Sequence, residues 1–85
     1  MTELEALVFT FIDRHKAVVK AFDEGKIEHY IESLCKSYYG CACGNFHCMA
    51  EPKGITLQGK RDSQEYKLTK QDMCEIITQF LGGVA

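Results

Sequence analysis

Apolar positions recur at intervals of three and four along the first part of the chain. Eight apolar residues and one histidine make up this set, namely Leu4, Leu7, Val8, Phe11, Ile12, His15, Val18, Val19 and Phe22. This spacing places all of them on one helical face and predicts a helix over about residues 3–23. Thr2 followed by Glu5 matches a capping box at its start. Gly25 is a typical helix stop.

Two further helices are predicted by the same periodicity. One follows Gly25 at once, with the apolar positions Ile27, Tyr30, Ile31, Leu34, Cys35 and Tyr38, and ends at Gly40. The other begins after Thr69, an N-cap residue, and has Asp72 near its positive end. Its apolar face consists of Met73, Ile76, Ile77, Phe80 and Leu81. The first two helices are expected to form a helical hairpin.

Between the second and the last predicted helix, the helical periodicity gives way to short segments. Some are separated by turn residues, and others alternate apolar with polar residues. Gly44-Asn45 separates two three-residue segments, 41–43 and 46–48, and suits a two-residue hairpin loop. Segments 55–58 and 65–68 alternate apolar with polar residues, which predicts two half-buried strands joined by the polar loop 59–64.

The order helix, helix, small hairpin, larger hairpin, helix predicts an α+β fold. Residues 1–85 are expected to form a single domain with an N-terminal helical hairpin, a small antiparallel sheet of one or two hairpins and a C-terminal helix. A chain of 85 residues often needs additional stabilisation by a metal, disulfides or a partner.

Composition and charge narrow the class of protein. The hydrophobic fraction of 46% lies in the globular range, and no apolar run is long enough to span a membrane. Acids near the N-terminus do not fit a secretory signal, so a cytoplasmic location with reduced thiols is expected. The net charge of −2 makes nucleic acid a less favoured partner.

Four of the five cysteines lie within fourteen residues, at Cys35, Cys41, Cys43 and Cys48. If the 44–45 hairpin forms, the last three share one sheet face and His47 points to the other. Zinc prefers thiolate and imidazole ligands, so these four cysteines are the predicted structural zinc ligands, with Cys74 and His47 as alternates. The competing interpretation is that the thiols fill the core as small hydrophobic side chains.

Catalytic chemistry is not predicted. His47 and Cys48 are adjacent on a strand and would face opposite ways, which leaves a thiol nucleophile without its base. Tyr38 and Tyr39 cannot both point inward from a helix, so one of them is expected to be exposed or to lie in an interface, and both are predicted partner-binding residues. The alternative is a tyrosine that packs over the thiol cluster. Lys60 and Arg61, in the loop of the larger hairpin, are predicted to contact a partner or a phosphate backbone.

These features predict a small non-catalytic regulatory or inhibitory protein that acts by binding another protein. Small acidic proteins of this kind occur among phage and mobile-element accessory proteins, which is an analogy only. The alternative is a zinc-stabilised nucleic-acid-binding regulator that uses the basic hairpin around Lys60 and Arg61. A homodimer through the helix 3–23 is compatible with both.

Overall fold

The computed structural model describes residues 2–59 and 64–83. In this part of the chain, four helices accompany a four-stranded sheet, which confirms the predicted α+β class. The elements in order are α1 (Glu3–Arg14), α2 (Ala17–Asp23), α3 (Ile27–Lys36), β1 (Gly40–Cys43), β2 (Phe46–Glu51), β3 (Gly54–Gln58), β4 (Glu65–Thr69) and α4 (Lys70–Leu81).

The prediction of one continuous helix over residues 3–23 is wrong, because the chain breaks between α1 and α2. His15 leaves helical geometry, with φ −115° and ψ 70°, and is buried. Its ring stacks on Phe11 with centroids 4.2 Å apart and meets the Tyr39 ring edge-on at 5.1 Å. The break turns Val18 of α2 into the core. A uniform apolar spacing does not reveal such a change of direction.

Both predicted helix caps are present. Thr2 accepts a hydrogen bond from the Glu5 amide at 3.1 Å, and its own amide donates to the Glu5 carboxylate at 2.8 Å, which completes the capping box of α1. The Thr69 hydroxyl accepts from the Asp72 amide at 3.0 Å and starts α4. The helix predicted between Gly25 and Gly40 corresponds to α3, which is shorter than predicted and ends at Lys36.

The four strands form one antiparallel sheet in the order β1-β2-β3-β4. Both predicted hairpins belong to it, and β2 pairs with β3 between them. Gly44 has φ +60° in the first position of the loop between β1 and β2, as expected for a two-residue hairpin turn. The predicted loop 59–64 lies largely outside the described residues, which exclude 60–63.

One face of the sheet packs against the helices and forms the core. The sheet contributes the buried residues Phe46, Cys48, Ala50, Ile55 and Leu57. The helices contribute Leu7, Val8, Phe11, Val18, Ile31, Cys35, Met73 and Ile77. Because α4 packs beside α3 as well as under the sheet, the two helices present a shared outer surface. No helix in the described ranges has the length and apolarity needed to cross a bilayer.

Candidate functional site

The thiol hairpin, which we define as β1, β2 and their turn (residues 40–51), has the predicted register. Cys41 lies opposite Cys48, Ala42 opposite His47 and Cys43 opposite Phe46. Residues directly opposite each other share a face, and faces alternate along a strand. Cys41, Cys43 and Cys48 therefore lie on one face and His47 on the other, as the sequence predicts.

The cysteines on that shared face have very different environments. Cys48 is fully buried in the core, Cys41 is half-buried, and Cys43 is exposed beside the turn. Burial raises the pKa of Cys48 to about 12, and the neighbouring thiols of Cys41 and Cys35 add to the rise. The Cys48 thiol is therefore protonated at neutral pH and is a weak nucleophile.

Cys35, Cys41 and Cys48 lie near one another, but the four predicted zinc ligands do not form a metal-binding group. Within residues 2–59 and 64–83, no three Cys, His, Asp or Glu side chains form a group that could hold a metal ion. Phe46, a buried aromatic residue, stands opposite Cys43 on the shared face. Cys35 is buried on α3, where its thiol points to the carbonyl of Gly54 at 3.8 Å. Zinc binding stays a prediction that this geometry does not support.

Neither alternate ligand completes a metal-binding group among the described residues. His47 lies on the opposite sheet face, half-buried. Cys74 lies half-buried on α4, in a different element from the other cysteines.

The two tyrosines predicted to bind a partner lie just beyond α3, in the turn that leads into β1. Tyr38 is 67% exposed and adopts φ 52°, the left-handed region that is uncommon for a non-glycine residue. Tyr39 is half-buried beside His15, and its carbonyl accepts a hydrogen bond from the Ala50 amide at 2.6 Å. Tyr38 is thus available to a partner, whereas Tyr39 mainly packs β1 against the helices.

Lys60 and Arg61, the other two predicted partner-binding residues, lie outside the described residues. The nucleic-acid alternative depends on them and stays a prediction. Nearby basic residues in the described part are Lys53, Lys67 and Lys70, and two of these face carboxylates. Lys67 pairs with Glu65 at 3.8 Å, and Lys70 pairs with Glu32 at 3.1 Å.

A groove of about 630 Å³ runs between α3 and α4, and the sequence pattern did not predict it. We call it the α3/α4 groove. Its walls are formed by Ile27, Glu28 and Glu32 of α3 and by Lys70, Gln71, Cys74, Glu75, Thr78 and Gln79 of α4. Its volume lies in the range of pockets that bind small molecules or the side chains of a partner.

An ion pair crosses the groove between its walls. The Lys70 ammonium donates to Glu32 at 3.1 Å, and Lys36 lies 3.8 Å from the same carboxylate. The hydrogen bond from Lys70 lowers the pKa of Glu32, and its charge and that of Lys36 act in the same direction. Glu32 is therefore ionised and neutralised by its neighbours.

The other two carboxylates of the groove have no such neutralisation within the described ranges. Neither Glu28 nor Glu75 forms an ion pair with a lysine or arginine of those ranges. Glu75 accepts a hydrogen bond from the neutral side-chain amide of Gln71 at 3.2 Å. Counting Glu28, Glu32 and Glu75 against Lys70, the lining carries a formal charge of −2.

Cys74 lies in the wall of the groove, where the nearby negative charge affects the pKa of its thiol. Burial raises the pKa of its thiol, and the charges of Glu28, Cys35 and Glu75 raise it further. A thiol held neutral in this way contributes apolar contact surface and has little nucleophilic character.

The sequence carries a partial signal for this groove. Glu28 and Glu32 are four residues apart and share a face of α3, as do Gln71 and Glu75 on α4. That these two faces meet depends on how the sheet positions α4, across more than thirty residues of chain. Local periodicity contains no information on that packing.

No family model, curated protein or solved structure matches the chain. Its function is therefore inferred from the geometry of its own residues.

Proposed function

We propose that this protein is a small non-catalytic regulatory or inhibitory protein that binds another protein through the α3/α4 groove. The observation that carries the proposal is the groove itself: an open surface between two packed helices that combines apolar contacts with carboxylates lacking a basic partner among the described residues. Grooves between helices are a recurrent docking surface for segments of partner proteins.

The state of the thiols supports a non-catalytic role. Burial raises the pKa of Cys35, Cys48 and Cys74, so these thiols are poor nucleophiles. His47 lies on the opposite sheet face from Cys48, and the Nδ1 of His15 lies 2.9 Å from the Phe11 carbonyl oxygen. Activated cysteine chemistry requires a base within hydrogen-bonding reach of the thiol.

Site-specific photo-crosslinking tests the proposal. A photoreactive phenylalanine analogue at Gln79, in the groove, is expected to capture one discrete protein in a lysate of the source organism. The same analogue at Asp13, exposed on α1, is not expected to capture it. The captured protein is then purified and its affinity for the unmodified chain is measured by calorimetry.

A matched pair of variants decides whether the groove is responsible. Gln79→Trp places a bulky ring in the groove, whereas Ser33→Trp places the same ring on an exposed position of α3 outside the lining. The proposal predicts at least a tenfold loss of affinity for Gln79→Trp, which is about 1.4 kcal/mol, and little change for Ser33→Trp. Equal effects, or no groove-dependent capture, would contradict it.

A further inference from the structure

We propose that the occupant of the α3/α4 groove is a basic amphipathic helix of another protein, with lysine or arginine side chains directed at Glu28 and Glu75 and apolar side chains directed at Ile27 and Cys74. This inference rests on the proposed function and specifies the partner's chemistry. It follows from the distribution of charge and apolar surface in the groove.

The charge of the partner follows from the two carboxylates that lack a basic neighbour. Glu32 already has Lys70 at 3.1 Å and Lys36 at 3.8 Å, so it attracts a further cation weakly. Glu28 and Glu75 belong to opposite walls and lack basic partners in the described part of the chain. Cations between them gain attraction, while an acidic segment or a phosphate backbone is repelled.

The apolar character of the partner follows from the residues next to these carboxylates. Ile27 and the neutral thiol of Cys74 supply apolar contact, and both are half-buried, so a partner removes their remaining exposed surface from water. Carboxylates on opposite walls, each next to an apolar residue, match a helix whose apolar stripe has cations along its flanks.

The extent of the two groove walls favours a helix as the occupant. The lining residues extend over 27–32 of α3 and 70–79 of α4, which is about 8 and 14 Å at 1.5 Å per residue. A helix of two to three turns spans the longer of the two walls. Helix-in-groove recognition uses anchors at spacings of three, four and seven residues.

Binding of designed peptides tests this inference even before the natural partner is identified. The probe is a synthetic peptide of about 14 residues with leucines on one helical stripe and lysines along both flanks. A control peptide has every lysine replaced by glutamate. Calorimetry and amide chemical-shift mapping are expected to show saturable 1:1 binding of the lysine peptide, with the largest shifts in α3 and α4. The glutamate peptide is expected not to bind.

Two double variants with equal charge change separate groove binding from general attraction. Glu28→Gln/Glu75→Gln is expected to weaken binding of the lysine peptide about tenfold, since both cation contacts are lost. Glu24→Gln/Glu51→Gln removes two exposed carboxylates outside the lining and is expected to change affinity less than about twofold.

The outcomes distinguish this inference from the proposed function. No binding of the lysine peptide, equal binding of the glutamate peptide, or equal effects of the two double variants would overturn the basic-helix inference. If the crosslinked partner still required the groove in that case, protein binding would stand and only the partner's chemistry would be wrong. If the crosslinked partner binds Gln79→Trp as tightly as the unmodified chain, both the proposed function and the basic-helix inference are wrong.

Discussion

The thiol hairpin and the α3/α4 groove differ in how their chemistry is assembled. In the hairpin, the reactive residue types are neighbours in sequence, but the strands divide them between a buried position at Cys48, a half-buried one at Cys41 and an exposed one at Cys43. In the groove, the polar residues come from segments more than thirty residues apart, and packing brings them together. Proximity in sequence therefore does not by itself give side chains a common environment, whereas packing can bring distant residues to one surface.

The largest effect on the free energy of unfolding is expected for a substitution on the buried face of α4, compared with one on its groove side. Ile77 is fully buried, and Ile77→Ala should lower the free energy of unfolding by about 3 kcal/mol, since it removes packed methylenes and leaves a cavity. Gln79→Ala, on the groove side, should change it by less than about 0.5 kcal/mol. Urea unfolding measures both. A similar cost for the two variants would mean that the groove wall is also part of the stabilising core.

A second comparison is made within the thiol hairpin. Cys48→Ser places a hydroxyl in a fully buried position and should lower the free energy of unfolding by about 1–3 kcal/mol. Cys43→Ser changes an exposed residue and should alter it by less than about 0.5 kcal/mol. Urea unfolding is combined with measurement of bound zinc by elemental analysis. Stoichiometric zinc that both replacements abolish would restore the zinc hypothesis.

The sequence predicts the local features of this fold well. Capping residues, the Gly44 turn and the alternation of strand residues are properties of a few neighbouring residues, and the structure confirms the elements they predict. The break at His15 was not predicted, because the apolar spacing continues across it while the ring of His15 packs between Phe11 and Tyr39.

The candidate site could be predicted only in part. The register of the thiol hairpin follows from its two-residue turn, so the shared face of three cysteines was predictable. The unequal burial of these three cysteines could not be predicted, because it depends on which end of the strand the helices cover. The position of Glu28 and Glu32 in the wall of a groove could not be predicted, because it depends on the packing of α3 against α4.

A smaller effect is expected at the N-cap of α4, which fixes the first turn of one groove wall. Thr69→Ala removes the hydroxyl that accepts from the Asp72 amide at 3.0 Å and should lower the free energy of unfolding by about 1 kcal/mol. Thr69→Ser keeps the acceptor and should cost less. Thermal and urea unfolding of the two variants provide the comparison, and equal losses would show that the hydroxyl does not cap the helix.

The smallest effect concerns the ion pair that crosses the groove. The pKa of Glu32 lies below the ordinary value of 4.5, so the stabilisation from its charged form is present above the unfolded-state pKa and is lost as the pH falls through the lower folded-state pKa. Carbon-detected NMR titration of the carboxyl group should show this depression. Lys70→Gln should raise the pKa of Glu32 more than Lys36→Gln does, since Lys70 is the hydrogen-bond donor. The reverse order would contradict the geometry.

The proposed function requires that the partner bind in the α3/α4 groove and not on the thiol hairpin. The most direct measurement is the affinity of the purified partner for two variants with a tryptophan at an exposed position. Gln79→Trp occupies the groove, and Ala42→Trp lies on β1 of the hairpin. We expect at least a tenfold loss for Gln79→Trp and an affinity within about twofold of the unmodified chain for Ala42→Trp. A loss confined to Ala42→Trp would contradict the claim.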